Sequence, residues 1–257
     1  MIFALIGAVL IGLSLGVLGS GGSIITVPVL TYLVGQDEKI AIAGSLAIVG
    51  TISLFASIPY ARKGFVDGRS ILFFGVPGMA GAYLGAYLSV FVSGAVQLGI
   101  FAILMLLAAV LMLRPLKEVP AEKNFQRSPL KIAADGLVVG IITGFVGVGG
   151  GFLIVPALVL LGGLSMRRAV GTSLLIIALK SYAGFAKYLD VLDDLELELD
   201  WQVLATFSVL GIAGSFIGNA MSSKLPQEIL KKAFAYFLFV VGIFIVVKNW
   251  SEMLPSS

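Results

Sequence analysis

The chain has no cysteine and no histidine, and only 12% of its 257 residues are charged. Without either residue there is no disulfide framework, no thiolate or imidazole metal site, and no Ser-His-Asp or Cys-His triad. Cysteine usage therefore says nothing about redox compartment. The shortage of charge excludes more. A soluble domain carries about 25% charged residues, and half that amount cannot coat a water-facing surface. With 59% hydrophobic residues and a mean hydropathy of +1.08, the solvent is lipid. At about 20 apolar residues per crossing the length corresponds to roughly eight to ten membrane segments and no soluble domain. The net charge of +3 does not indicate nucleic acid, because the basic residues sit in short loops between apolar runs. Residues 1–18 lack a basic leader and a small-residue cleavage site, so they read as a first helix and not as a signal peptide.

Apolar runs cover 2–18, 22–34, 40–59, 70–92, 95–113, 131–147, 151–163, 168–189, 201–222 and 232–248. The runs 22–34 and 151–163 are short, and each follows a glycine cluster: Gly19-Ser20-Gly21-Gly22, and Gly147-Val148-Gly149-Gly150-Gly151. Glycine permits left-handed backbone and tight turns, so both clusters predict a helix break.

The breaks belong to a duplication. A shift of 128 residues aligns Gly16, Gly19, Gly21, Gly22, Val27, Pro28 and Leu30 with Gly144, Gly147, Gly149, Gly150, Val155, Pro156 and Leu158. The register continues from Ser45 to Ser173, and Gly78, Gly81 and Gly85 later match Gly211, Gly214 and Gly218. The halves are residues 1–113 and 131–257, joined by a basic linker over 114–130 that the positive-inside bias places in the cytoplasm. Equivalent loops carry opposite charge: Arg62-Lys63-Arg69 against the acidic run Asp190 to Asp200, and Asp37-Glu38 against Arg167-Arg168. The expected architecture is an all-α polytopic membrane protein of two inverted-topology repeats. Each repeat has three full spans plus a glycine-broken short-helix pair, as in many secondary transporters.

A break inside the membrane frees backbone N–H groups, and the next half-helix N-terminus adds partial positive charge. Inversion is expected to bring both breaks together near the midplane as a site for a small anion, with N–H groups of Gly21–Ser23 and Gly149–Gly151 as donors. The alternative is that these glycines only allow close packing, the role expected of Gly78, Gly81, Gly85 and their mates. If the breaks hold the anion, Gly22→Val and Gly150→Val abolish flux, whereas Gly85→Ala on the packing face is milder. Pro28 and Pro156 predict kinks with freed carbonyls, or are merely tolerated. Lys180 lies mid-run, where a charge is a functional hypothesis by default; its mate is Ile52. It pairs with the substrate or snorkels outward. Ser45, Thr172 and Ser173 add hydroxyls for substrate oxygens or for helix contacts, Asn219 is similarly ambiguous, and Asp135 reads as interfacial.

The paired signature Gly-x-x-Gly-x-Gly-Gly-x5-Pro, with the runs Ala43-Gly44-Ser45-Leu46 and Gly171-Thr172-Ser173-Leu174, resembles that of the TauE/SafE family of sulfite and organosulfonate exporters. The second copy, Gly144 through Pro156, is the fuller match; the first has Ser20 and Ser23 where the second has Val148 and Gly151. The resemblance implies a multi-pass transporter of small sulfur-containing anions in the cytoplasmic membrane, with no cofactor. An anion-selective channel is the nearest rival. An intramembrane enzyme, for which only Ser181 with Lys180 could serve, and a non-transporting assembly factor are more remote. The partners expected are a small anion, the lipid bilayer and either H+ or Na+ as a coupling ion, without nucleic acid. The oligomeric state is not legible.

Overall fold

The computed structural model describes residues 2–113, 128–146, 151–222 and 224–248. Among them every regular element is helical. Helix α1 spans Ile2–Leu18; α2 runs over Gly21–Pro28 and widens into π turns over Val29–Val34; α3 spans Glu38–Arg62. Helix α4 covers Gly68–Phe91, and α5 covers Gly94–Leu113. The second half repeats the order. Helix α6 spans Pro129–Val146, α7 Gly151–Pro156 with π turns over Ala157–Leu161, α8 Met166–Asp194, α9 Trp201–Ser222 and α10 Gln227–Lys248. Of the linker expected over 114–130, residues 114–127 lie outside the described residues, and α6 already begins at Pro129.

Local chemistry sets the boundaries. Pro28 and Pro156 have no N–H to donate, so the regular ladder cannot continue past them, and each helix loosens into wider turns at the next residue. At both prolines the backbone shows π turns beginning at the next residue. Helix α2 ends at Gly35 with φ +81°, a left-handed cap. Carboxylates open three helices: Asp37 accepts Lys39 N–H (2.8 Å), Asp67 accepts Ser70 N–H (2.8 Å), and Asp200 accepts Gln202 and Val203 N–H (3.0 Å). Six helices are long and apolar enough to cross a membrane: Glu38–Arg62, Gly68–Phe91, Val96–Leu113, Pro129–Val146, Met166–Asp194 and Trp201–Ser222. The chain is an all-α multi-pass membrane protein. Its outer face carries exposed Leu72, Ile103, Val209 and Val240, as lipid contact requires.

Two pairs of helices touch backbone to backbone. A Cβ on Gly12 would lie 1.8 Å from Gly211 O, and one on Gly16 2.1 Å from Ser215 O; reciprocally Gly214 meets Val9 O at 2.4 Å and Gly218 meets Leu13 O at 2.3 Å. The same interlock joins α4 to α6, with Gly81 against Leu137 O (2.3 Å), Gly85 against Ile141 O (2.1 Å) and Gly140 against Gly78 O (2.4 Å). The glycine stripe is thus a packing surface, as expected, and its partners are glycines as well. In both pairs the residue numbers rise together, so α1 runs parallel to α9 and α4 parallel to α6. Helices α3 and α8, the most enclosed, cross in the opposite sense: Leu46 faces Gly184, Gly50 faces Ser181 and Tyr60 faces Gly171. They are equivalent in the duplication and antiparallel in space.

Lys39 ties one end together. Only 8% exposed, its ammonium donates to Ser89 O (2.6 Å), Val92 O (2.8 Å) and Gln97 Oε1 (2.6 Å). Gln97 then donates to Tyr188 Oη (3.0 Å) and to Phe145 O. The network joins the start of α3, the α4–α5 turn, the end of α6 and α8.

Two stability outcomes follow from this packing. Gly85→Ala places a methyl on Ile141 O and should cost about 1–3 kcal/mol, seen as a lowered melting temperature in detergent. Gly68→Ala, with nothing within 4 Å, should melt like the parent. Steric crowding at Gly85 is similar to that at Gly22, where a Cβ lies 2.2 Å from Ile11 O. Gln97→Leu should cost about 1–3 kcal/mol, because it leaves a buried ammonium one acceptor short. Adding Lys39→Met should recover part of that loss in the same melt.

Candidate functional site

The first break forms where α1 ends. Gly19 takes φ +74°, its N–H closes the last turn on Leu15 O at 2.8 Å, and its Cα lies against Val170 of α8. Side-chain hydroxyls then bind carbonyls around the break. Ser23 Oγ donates to Ser20 O (2.7 Å), Thr26 Oγ1 to Gly22 O (2.6 Å), and Ser173 Oγ to Gly19 O (3.1 Å) and Val170 O (2.8 Å). Ser173 therefore reaches the break, as its position in the sequence suggests. Ser20 heads α2 fully buried, with its Oγ lacking a hydrogen-bond partner among the described residues. That leaves a donor and an acceptor for a ligand at the N-terminus of α2.

The glycines themselves face elsewhere. A Cβ on Gly21 would lie 2.1 Å from Ser14 Oγ, and one on Gly22 2.4 Å from Leu15 Cγ. Both Cα atoms press on α1, so their lack of a side chain serves the α1–α2 hairpin. Thr172 is also used structurally: its Oγ1 accepts Asp67 N–H at 2.9 Å, anchoring the start of α4. Ser45 is buried in α3. Gly147, Gly149 and Gly150 lie outside the described residues, and Gly151 opens α7.

The expected meeting of the two breaks near the midplane involves residues 147–150, which lie outside the described residues. The first break packs on Val170 and Ser173. The end of α6 lies by Tyr188, which donates to Phe145 O at 3.2 Å. Fifteen residues of α8 separate Ser173 from Tyr188, about 22 Å at 1.5 Å per residue. The two short helices that follow the glycine clusters, α2 and α7, touch each other.

Lys180 stands between these levels on α8. It is 1% exposed, its Nζ has no hydrogen-bond partner among the described residues, and it lies 5.9 Å from the Phe74 ring centroid. The stem packs over Gly78, where a Cβ would meet Lys180 Cδ at 3.0 Å. Its mate Ile52 packs over Gly211 in the same way, with Cδ1 2.1 Å from the Cβ position. The glycines on α4 and α9 thus make room for one long side chain each, and only one of the two carries charge. Its described contacts are to α4, not to Ser20–Ser23.

Three pairings escaped the reading of the sequence, which names Ser181 and Arg167 only singly, although the 128-residue register contains them. Ser53 and Ser181 are mates, both fully buried with no Oγ partner among the described residues, and Ser181 lies against Gly50 at the α3–α8 crossing. Tyr60 and Tyr188 are mates. Tyr60 donates to Gly16 O (3.1 Å) and lies 2.9 Å from Ser222 Oγ, while Tyr188 holds Phe145 O. Each tyrosine secures the last turn before its own half's break. Lys39 and Arg167 are the third pair, each in the first turn of its half's longest helix.

Residues 4–245 match the family described as Sulfite exporter TauE/SafE. A Xylella fastidiosa (strain Temecula1) protein named "Probable membrane transporter protein" is 32% identical over 254 residues, covering 95% of this chain and 94% of the relative. A Haemophilus influenzae protein of the same name is 29% identical over 262 residues, with 95% and 97% covered. "Probable membrane transporter protein YdhB" of Bacillus subtilis is 25% identical over 241 residues, with 92% and 96% covered. No solved structure matches the chain. On the glycine-broken hairpins and this near-complete match, the chain belongs to the sulfite exporter TauE/SafE family.

Proposed function

We propose that this chain is a secondary transporter of small sulfur-containing anions (sulfite, sulfoacetate or another organosulfonate), moving them across the cytoplasmic membrane by alternating access. The observation that carries this reading is Lys180. A buried ammonium without a hydrogen-bond partner among the described residues is costly, and an oxyanion supplies what it lacks. On α8 it lies midway between the levels of Ser173 and Tyr188, so a substrate leaving either half-helix N-terminus next meets this cation. The antiparallel crossing of α3 and α8 supports halves inserted in opposite directions, whose rocking exposes the middle to one side at a time. The basic end, with Arg62, Lys63 and Arg167, faces the cytoplasm in this reading. A potential negative inside then favours anion exit by about 2.3 kcal/mol per charge per 100 mV.

Lys180→Met should lower sulfite or sulfoacetate flux into proteoliposomes at least tenfold, while the variant melts no lower than the parent because a bare buried charge has been removed. Undiminished flux would take Lys180 out of the mechanism. Counter-flow, with external substrate accelerating efflux, separates a carrier from a channel. The native absence of cysteine makes orientation testable. Asp193→Cys should react with an impermeant maleimide in intact cells and Lys123→Cys only after permeabilisation; reaction of both from one side would remove the inverted arrangement.

A further inference from the structure

At the basic end a cavity of about 100 Å³ is lined by Tyr60, Lys63, Phe65, Arg167, Asn219 and Ser222. Its volume is on the order of three waters at about 30 Å³ each, the room a small oxyanion needs. The lining is rich in donors: a guanidinium, an ammonium, a carboxamide and two hydroxyls, with no carboxylate. Tyr60 and Ser222 are each 5% exposed and Asn219 is 7% exposed, so the polar wall is built into the fold. Tyr60 also connects the cavity to the first break, because the hydroxyl on its wall holds Gly16 O, three residues before Gly19.

The opposite end gives the contrast. There a cleft of about 440 Å³ is lined by Asp37, Glu38, Lys39, the 90–94 turn, Leu195 and Leu197. Lys39, the mate of Arg167, spends its ammonium on two carbonyls and Gln97, and two carboxylates stand beside it. The lining of the first cavity thus carries two cations and no carboxylate, whereas two carboxylates line the second. An anion is attracted to the first and repelled from the second.

We propose that the Tyr60–Arg167 cavity is a loading site for a small sulfite- or sulfonate-class oxyanion, with the Arg167 guanidinium as its chief contact and Lys63 as the mouth. It deepens the transporter reading and rests on it for direction: loading at the basic end, release at the acidic end. The phosphate of a lipid headgroup has the same recognition chemistry, so the test separates the two sources.

The probe is sulfite, read by thermal unfolding of the detergent-purified chain and by flux in phosphatidylcholine vesicles. Sulfite should raise the melting temperature. Arg167→Gln should raise the half-saturating sulfite concentration at least tenfold in both measurements, Lys63→Gln should raise it several-fold, and Arg167→Lys should recover part of the loss. If Arg167→Gln does not fold, Lys63→Gln and Asn219→Ala carry the comparison. Unchanged saturation in these variants, with flux intact, overturns the loading site and leaves the transporter reading standing. Arg167-dependent sulfite binding without flux in the parent upholds the cavity as an anion site and overturns the transporter reading. Stabilisation by phosphatidylglycerol vesicles but not by sulfite, lost in Arg167→Gln, assigns the cavity to a lipid headgroup and overturns the proposal.

Discussion

Everything in this fold depends on helices approaching until backbone meets backbone. In lipid no hydrophobic force drives apolar helices together, so contact area and close approach must do it. Gly12 and Gly16 on α1, answered by Gly211, Gly214 and Gly218 on α9, leave no room for even a methyl group. The α4–α6 pair repeats the device with Gly81, Gly85, Gly136, Gly140 and Gly144. These two seams flank α3 and α8 and hold them at their crossing. They are also what keeps a lysine stem lying over Gly78 without pushing α4 away.

That rigid frame explains why polar groups can be left wanting at its centre. Ser20, Ser53, Ser181 and Lys180 each bury an atom with no hydrogen-bond partner among the described residues, a cost of about 1–3 kcal/mol for a neutral group and more for a charge. A loosely packed bundle would relax until these groups found carbonyls, as Ser23, Thr26 and Ser173 have done. Tight seams elsewhere prevent such relaxation. The distribution is uneven in a useful way: hydroxyls at the break are mostly consumed by carbonyls, whereas those at the α3–α8 crossing are not.

Much of this was written in the sequence because lipid imposes simple rules. The spans follow from apolar length, the breaks from glycine clusters, and the packing stripe from glycines spaced three and four apart. Gly19 is legible as a break because only glycine takes its left-handed angle cheaply. What could not be read is direction around and along a helix. Gly21 and Gly22 belong to the break by position, yet their Cα atoms press on α1. Thr172 and Ser173 are neighbours in a candidate motif, but about 100° of rotation sends one to Asp67 and the other to Gly19. Lys39 was hidden for another reason: amid Asp37 and Glu38 it looks like one more loop charge, and only the folded chain brings Ser89, Val92 and Gln97 around it.

The parallel seams join unlike helices of opposite halves: α1 to α9, and α6 to α4. Neither half can therefore satisfy its own first helix. During synthesis α1 must wait, with its glycine face turned to lipid, until α9 has emerged some two hundred residues later. Assembly is completed from the far end of the chain, and a truncated product retains an unfilled groove that a second fragment could enter. The same exchange of first helices would hold two identical half-length chains together as a swapped dimer, with the linker adding only a covalent tether to a contact that already existed.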